Sequence, residues 1–149
     1  MRLKDFQDPF PGEEGVYLFT TDHLEQHRLF PEAADFTYGV NTLALGTLKF
    51  PVHILCYTLM DNHMHILMRG AFPACSSFLF WALRRLAGRL SKQHGLKKIL
   101  GMERVDVQPV RDDTMFTNEM AYILRNAYKA RLASPFSYPW APFEVYFNP

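Results

Sequence analysis

The sequence predicts an α+β sandwich, in which helices pack on one or both faces of an antiparallel sheet. Segments typical of strands alternate with segments typical of helices in the order β-α-β-β-α-β-α, with one hairpin in the middle. Apolar residues make up 48% of the 149 residues, which provides enough material for one core and excludes a disordered chain. We therefore expect one domain over residues 1–149, with a lead-in over 1–15 and an irregular, Pro-rich tail over 134–149.

The predicted strands are short segments rich in β-branched and aromatic residues. They cover residues 16–21, 51–60, 63–68 and 105–110. Asp61 and Asn62 form a turn signal between the second and third segments, which predicts that these two strands form a hairpin.

Three helical patterns separate and follow these strands. The first runs from Pro31 to about Gly46, and the third covers residues 117–132 with Thr117 as its predicted N-cap. The second covers residues 74–94, with Ser76 or Ser77 as its N-cap and Gly95 as its C-terminal stop. Its apolar side chains recur every four positions and predict a buried face, formed by Phe78, Ala82, Leu86 and Leu90.

Charge is distributed unevenly along a chain whose net charge is only +1. Residues 62–102 carry seven Lys and Arg and no Asp or Glu, whereas residues 1–61 carry a net charge of −5. The basic segment predicts either a surface for a polyanion or a solvated helix face. Four of its cations share the exposed side of the second helix, namely Arg84, Arg85, Arg89 and Lys92.

The sequence favours a soluble, cytoplasmic protein with no membrane partner. The uncharged stretch 70–83 includes three polar or helix-breaking residues, and residues 1–10 lack the apolar core of a signal peptide. Cys56 and Cys75 have neither metal-site nor disulfide-scaffold spacing, so we expect reduced, buried thiols.

Two pairs of residues could carry chemistry. His63 and His65 are two positions apart on a predicted strand, so both imidazoles project from one face and could share a divalent cation, although packed core histidines show the same pattern. Tyr122 and Asn126 are four positions apart on the third helix and also share a face. Tyr122 could pack against the core or act as a nucleophile on a phosphodiester, with the Asn126 amide oxygen as a metal ligand.

Residues 56–68 (CYTLMDNHMHILM) resemble the signature of the single-tyrosine HUH transposases, in which two histidines flank one apolar residue. They are most similar to the REP-associated tyrosine transposases and their insertion-sequence relatives, whose histidine pair follows an asparagine, as it follows Asn62 here. Residues 122–126 (YILRN) resemble the Y-I-x-x-N motif of that family, and residues 138–140 (YPW) its Y-P-W motif. The resemblance extends from about Val16 to Tyr146.

The resemblance implies a ferredoxin-like or RRM-like sandwich and a specific chemistry. His63 and His65 would bind Mg²⁺ or Mn²⁺, Asn126 would be the third protein ligand, and Tyr122 would be the nucleophile. Such enzymes cut single-stranded DNA, often beside a hairpin, hold the 5′ end as a phosphotyrosine and free a 3′-OH that later reverses the step. Relatives include both monomers and homodimers that exchange the tyrosine helix.

The sequence also departs from the family pattern. Asp61 stands where the family has Pro, and Asn126-Ala127-Tyr128 replaces N-P-V, so Tyr128 offers a second phenol. The cations of the second helix would contact phosphates without reading sequence. Two other functions stay open: an inactive or domesticated relative that binds hairpin DNA or RNA, and a metal-dependent phosphodiesterase that uses water.

Overall fold

The structure, a computed structural model, describes residues 1–130, 137–142 and 145–146. Its four main strands are β1 (Glu14–Thr21), β2 (His53–Leu59), β3 (Met64–Ala71) and β4 (Val105–Val110). Its three α-helices are α1 (Ala33–Lys49), α2 (Phe72–His94) and α3 (Asp113–Lys129).

The strands form one sheet in the order β2-β3-β1-β4, and every neighbouring pair is antiparallel. The chain order β1-α1-β2-β3-α2-β4 in this arrangement is the ferredoxin-like split βαβ topology, to which α3 is added. The structure therefore confirms the predicted α+β class and the ferredoxin-like sandwich that the resemblance implied.

Side chains that alternate along the strands divide the core between the two faces of the sheet. Phe19 and Ile66 point to the face covered by α1 and α2, hereafter the α1/α2 face. Leu18 precedes Phe19 and Leu67 follows Ile66, so both point to the opposite face. There they pack with Ile123 of α3, and this is hereafter the α3 face. Because the side-chain period of a strand is two, His65 shares the α3 face with Leu67.

The second helix begins earlier than predicted. It begins at Phe72, so Ser76 and Ser77 lie within the helix and the predicted serine caps are wrong. The first turn contains Pro73, whose fixed φ suits that position and whose missing N–H would have had no helical partner there. Gly95 ends the helix in the left-handed conformation (φ 67°), as predicted.

The third helix also begins earlier, and the predicted cap at Thr117 is wrong. The Asp112 carboxylate accepts a hydrogen bond from the Met115 N–H (2.8 Å) and caps α3. The Thr117 hydroxyl lies inside the helix and donates to the Asp113 carbonyl oxygen (2.9 Å). The predicted last residue, 132, lies outside the described residues.

Both terminal segments contact the edges of the sheet. Arg2 pairs with Asp106 of β4, and a short 3-10 helix, Leu3–Asp5, follows it within the predicted lead-in. At the opposite edge, the Leu59 N–H donates to the Trp140 carbonyl oxygen (3.0 Å) and the Tyr138 hydroxyl donates to the Leu59 carbonyl (2.5 Å). The rest of the predicted tail, residues 134–136, 143–144 and 147–149, lies outside the described residues.

In the part of the chain that the structure describes, no helix combines the length and the apolar character that crossing a bilayer requires. Cys56 and Cys75 are buried and free, as predicted, and burial raises the pKa of each thiol to about 12. These thiols are therefore protonated core residues at neutral pH.

Candidate active site

His65 lies in β3 directly opposite Thr20 of β1, and this pairing orients its ring. The Nδ1 atom of His65 is 2.9 Å from the Thr20 hydroxyl oxygen. The side chain is 1% exposed, and its other ring nitrogen, Nε2, is buried with no hydrogen-bond partner among the described residues. A buried polar atom without a partner is costly, and it is typical of a position that receives a ligand.

His63 lies one residue before β3 and is oriented by Asn62. The Asn62 side-chain nitrogen donates to the Leu24 carbonyl (3.2 Å), so the amide oxygen faces Nδ1 of His63 at 2.7 Å. An amide oxygen only accepts, hence Nδ1 carries the proton and donates. The lone pair is then on Nε2 of His63, which is also buried and without a partner in the described part of the chain.

Burial keeps both imidazoles neutral. It lowers the pKa of His65 to about 3, with smaller contributions from His63 and His23, and lowers the pKa of His63 to about 4, with a contribution from His23. Neutral imidazole is the form that binds metal ions, since a protonated ring nitrogen has no lone pair to offer.

A third histidine, His23, completes the cluster, and the sequence analysis missed it. Its ring stacks on that of His63, with centroids 3.6 Å apart and an angle of 15° between the planes. One nitrogen from each of His23, His63 and His65 lies within 4.8 Å of the others, so the three could hold a metal ion. The two buried, partnerless Nε2 atoms fit this role.

Tyr122 reaches the histidines from α3, within the same chain. Its ring meets the His65 ring edge to face, with centroids 5.3 Å apart and planes at 84°. Tyr122, His65 and His23 line one open cleft of about 520 Å³ between the sheet and α3. The Lys129 ammonium is 5.1 Å from the centre of the Tyr122 ring. The structure therefore places Tyr122, the predicted nucleophile, beside His65, whose ring centroid is 4.9 Å from that of His63.

Asn126 is buried one turn after Tyr122, and its side-chain nitrogen donates to the Tyr122 carbonyl (3.0 Å). This bond holds the amide against its own helix. The next residue, Ala127, packs with Met60 close to the turn that carries His63. Tyr128 is 65% exposed and is not part of the cleft wall.

The four cations of α2 lie on the opposite side of the sheet from the histidines, because α2 covers the α1/α2 face. Three of them pack against neighbouring side chains, and one of these, Arg84, lies over the ring of Phe80. The Arg89 Nε contacts a carboxylate oxygen of Asp35 at 2.5 Å, and the Arg85 guanidinium lies over the rings of Tyr38 and Trp81. Arg84 and Lys92 are exposed.

The chain is similar in structure to a REP-associated tyrosine transposase solved bound to a REP hairpin. The TM-score is 0.68 at 17% identity, over 88% of this chain and 78% of the other. A candidate transposase from Deinococcus radiodurans R1 gives a TM-score of 0.49 at 11% identity, over 82% of this chain and 93% of the other, and this value is too low to carry an argument. No family model and no curated protein matches the sequence. The first likeness shows that this chain has the IS200/REP transposase-like fold, as its motifs implied.

Proposed function

We propose that this protein is a metal-dependent transesterase that cleaves single-stranded DNA through a 5′-phosphotyrosine on Tyr122. One observation carries the proposal: the Tyr122 ring lies 5.3 Å from the ring of His65, beside buried imidazole nitrogens that have no partner among the described residues. The transposase-like fold, shared with a protein solved bound to a hairpin, supports DNA as the substrate.

In the proposed reaction Tyr122 exchanges one phosphodiester for another. The phenol oxygen attacks the phosphorus, the bond from phosphorus to the 3′ oxygen breaks, and the departing oxygen gains a proton as the phenol loses one. Because bond energy is kept in the phosphotyrosine link, attack by a 3′-OH reverses the step without ATP. Lys129, close to the Tyr122 ring, places a positive charge where the DNA phosphate would enter the cleft.

His63 and His65 would hold the divalent cation, either Mg²⁺ or Mn²⁺, with Asn126 as a further ligand. When bound, such a cation neutralises charge on the phosphate oxygens and polarises the P–O bond. Thr20 and Asn62 act as positioning residues, because each engages Nδ1 of one imidazole and leaves Nε2 free.

DNA outside the cleft would meet the basic side of α2. Arg84 and Lys92 have exposed charges that can contact phosphates, whereas Arg85 and Arg89 would do so only beside their packing contacts. Since Tyr122 and His65 meet within one chain, the proposed chemistry needs no exchange of helices, and the homodimer stays a prediction.

The test is formation of a covalent adduct. The full chain is mixed with a single-stranded DNA hairpin carrying flanking sequence and Mg²⁺ or Mn²⁺, and a band that survives denaturant is measured. Tyr122→Phe should abolish the band, whereas Tyr128→Phe, which changes the exposed phenol six residues later, should keep it. A band that survives Tyr122→Phe would refute the assignment. Salt-dependent binding without any adduct would favour the hairpin-binding alternative.

A further inference from the structure

We propose that His23 is a third imidazole ligand of the cation held by His63 and His65, and that the site selects a first-row transition metal ion over Mg²⁺. This inference rests on the proposed function, because it completes the same metal site. It adds a residue from the segment that follows β1, outside the motifs that carry the family resemblance.

The geometry of the three nitrogens supports the first part. They lie within 4.8 Å of one another, and two ligands of a tetrahedral ion with bonds of about 2.0–2.1 Å lie roughly 3.4 Å apart. The three nitrogen atoms therefore need to approach one another by little more than an ångström to bind one ion. His63 and His65 are buried and oriented by hydrogen bonds. His23 is an exposed residue whose ring stacks on that of His63, and the ring must turn out of this parallel stack to aim its lone pair at a shared ion.

The backbone on both sides of His23 is anchored. The Asp22 N–H donates to the Arg104 carbonyl (2.9 Å). The Leu24 N–H donates to the Asn62 carbonyl (3.0 Å), and the Asn62 side chain returns a bond to the Leu24 carbonyl (3.2 Å). Asn62 thus ties the His23 segment to the residue that orients His63. Only side-chain freedom of His23 is lost when it binds a metal, which keeps the entropic cost low.

The donor types support the second part. Among the described residues the cluster consists of three histidines and contains no carboxylate. Imidazole nitrogen suits Zn²⁺, Co²⁺ and similar ions, whereas Mg²⁺ prefers an octahedral shell of oxygen ligands and gives up its water reluctantly. Affinity should therefore rise from Mg²⁺ through Mn²⁺ to Co²⁺ and Zn²⁺. The resemblance implies Mg²⁺ or Mn²⁺ as the cation. The donor types favour Mn²⁺, Co²⁺ and Zn²⁺ and disfavour Mg²⁺.

The test measures metal binding without DNA. Metal-free full chain is titrated with Co²⁺, whose visible absorption bands report the ligands, and Zn²⁺ is added in competition. His23→Ala should weaken Co²⁺ and Zn²⁺ binding by at least about tenfold and change the Co²⁺ bands. His27→Ala is the matched control, because His27 is an exposed histidine four residues further along the chain and outside the cluster. Mg²⁺ in about a thousandfold excess should leave the Co²⁺ bands unchanged.

Three results would overturn the inference. Unchanged affinity and bands in His23→Ala would remove His23 from the ligand set, and an equal loss in His27→Ala would show a general effect of the segment. Displacement of Co²⁺ by an equal concentration of Mg²⁺ would refute the selectivity.

Failure of this inference and failure of the proposed function give different results. Tyr122→Phe should bind Co²⁺ like the unchanged chain, since the phenol is not among the proposed ligands. If Tyr122→Phe still forms an adduct, the proposed function fails while the metal result stands. If the adduct needs Tyr122 but His23→Ala binds metal normally, only the third ligand is wrong.

Discussion

Each face of the sheet carries a buried polar cluster that contains histidine, and the two clusters are built in opposite ways. On the α1/α2 face, the carboxylate of Asp35 in α1 contacts Arg89 (2.5 Å) and His94 (2.8 Å) of α2. On the α3 face, His63 and His65 each leave one buried nitrogen without a partner among the described residues. The charged Asp35 carboxylate has partners and links α1 to α2, whereas the neutral His63 and His65 rings each keep a nitrogen available to a ligand.

The two clusters differ in how the free-energy cost of burying their polar groups is offset, and this difference indicates their roles. Asp35 is 2% exposed, and its burial is offset by Arg89, by His94 and by the Glu32 N–H in a capping box at the start of α1. The Nε2 atoms of His63 and His65 have no such compensation among the residues that the structure describes. We therefore assign the Asp35 cluster to stability and the His63 cluster to function, and the following predictions test that division.

The largest expected effect is on stability. Asp35→Ala should lower the free energy of unfolding by about 3 kcal/mol or more, because it removes the shared partner of Arg89 and His94 and the acceptor of the Glu32 N–H. Chemical denaturation measures the loss, and Co²⁺ binding should not change. Asp22→Ala is the control, since its ion pair with Arg2 is more exposed and its loss should cost much less stability. A loss of metal binding in folded Asp35→Ala would break the division.

The second effect is a pH dependence of the metal-free chain. Burial lowers the pKa values of His63 and His65 in the folded protein to about 4 and about 3, below the ordinary histidine value of 6.5. Below pH 6.5 the two histidines become protonated in the unfolded chain but stay neutral in the folded protein. The unfolded chain therefore binds more protons, and stability falls as the pH falls below 6.5. Between pH 7 and pH 5 the loss should be about 3 kcal/mol, measured as a shift of the urea midpoint.

The Asp35 cluster should behave differently with pH. Burial alone would raise the pKa of Asp35, but the hydrogen bonds from Arg89 and His94 outweigh burial and lower the pKa below the ordinary value of 3.8. Stability from a lowered carboxyl pKa is present above the unfolded pKa and is lost only in more acidic solution. A chain that keeps its full stability down to pH 4 would contradict the assignment of neutral, buried histidines.

The third effect separates metal binding from folding. The double variant His63→Ala/His65→Ala should lose at least about 100-fold in Co²⁺ or Zn²⁺ affinity and remain folded at neutral pH. It should also lose less stability than the unchanged chain between pH 7 and pH 5. His53→Ala, at an exposed histidine on β2, serves as the control. Tight metal binding by the double variant would place the metal elsewhere.

The smallest effect concerns DNA affinity on the α1/α2 side. Arg84→Ala should reduce the slope of log binding constant against log salt concentration by about 1, the value for one phosphate contact. Stability should stay unchanged, because Arg84 is exposed. Arg89→Ala should instead lower stability, because it removes the partner of buried Asp35. Hairpin binding at several salt concentrations measures the slope, and chemical denaturation measures the stability of each variant. An unchanged salt slope in Arg84→Ala would remove this residue from the DNA surface.

Much of the fold could be predicted because local patterns are strong in this chain. β4 has the predicted bounds, and the apolar face of α2 from Phe78 to Leu90 is buried as predicted. The errors lie at the ends of elements: β3 continues to Ala71 and α1 to Lys49, and α2 and α3 begin earlier than predicted. A cap depends on one side chain near a free N–H, and Asp112 competes with Thr117 for that role over only a few residues. The pattern pointed to Thr117, and only the folded backbone shows that the Asp112 carboxylate meets the Met115 N–H.

The sequence alone determined the chemical groups of the site and their local orientation: paired imidazoles two positions apart on a strand, and a phenol and an amide one turn apart on a helix. The tertiary structure decided that the Tyr122 ring contacts His65 and that Arg89 pairs with Asp35. It also placed His23 beside His63 and His65. The reason is that strand pairing is a long-range choice. Only when β1 lies antiparallel to β3 does the end of one strand meet the start of the other, and no local pattern around His23 records that pairing.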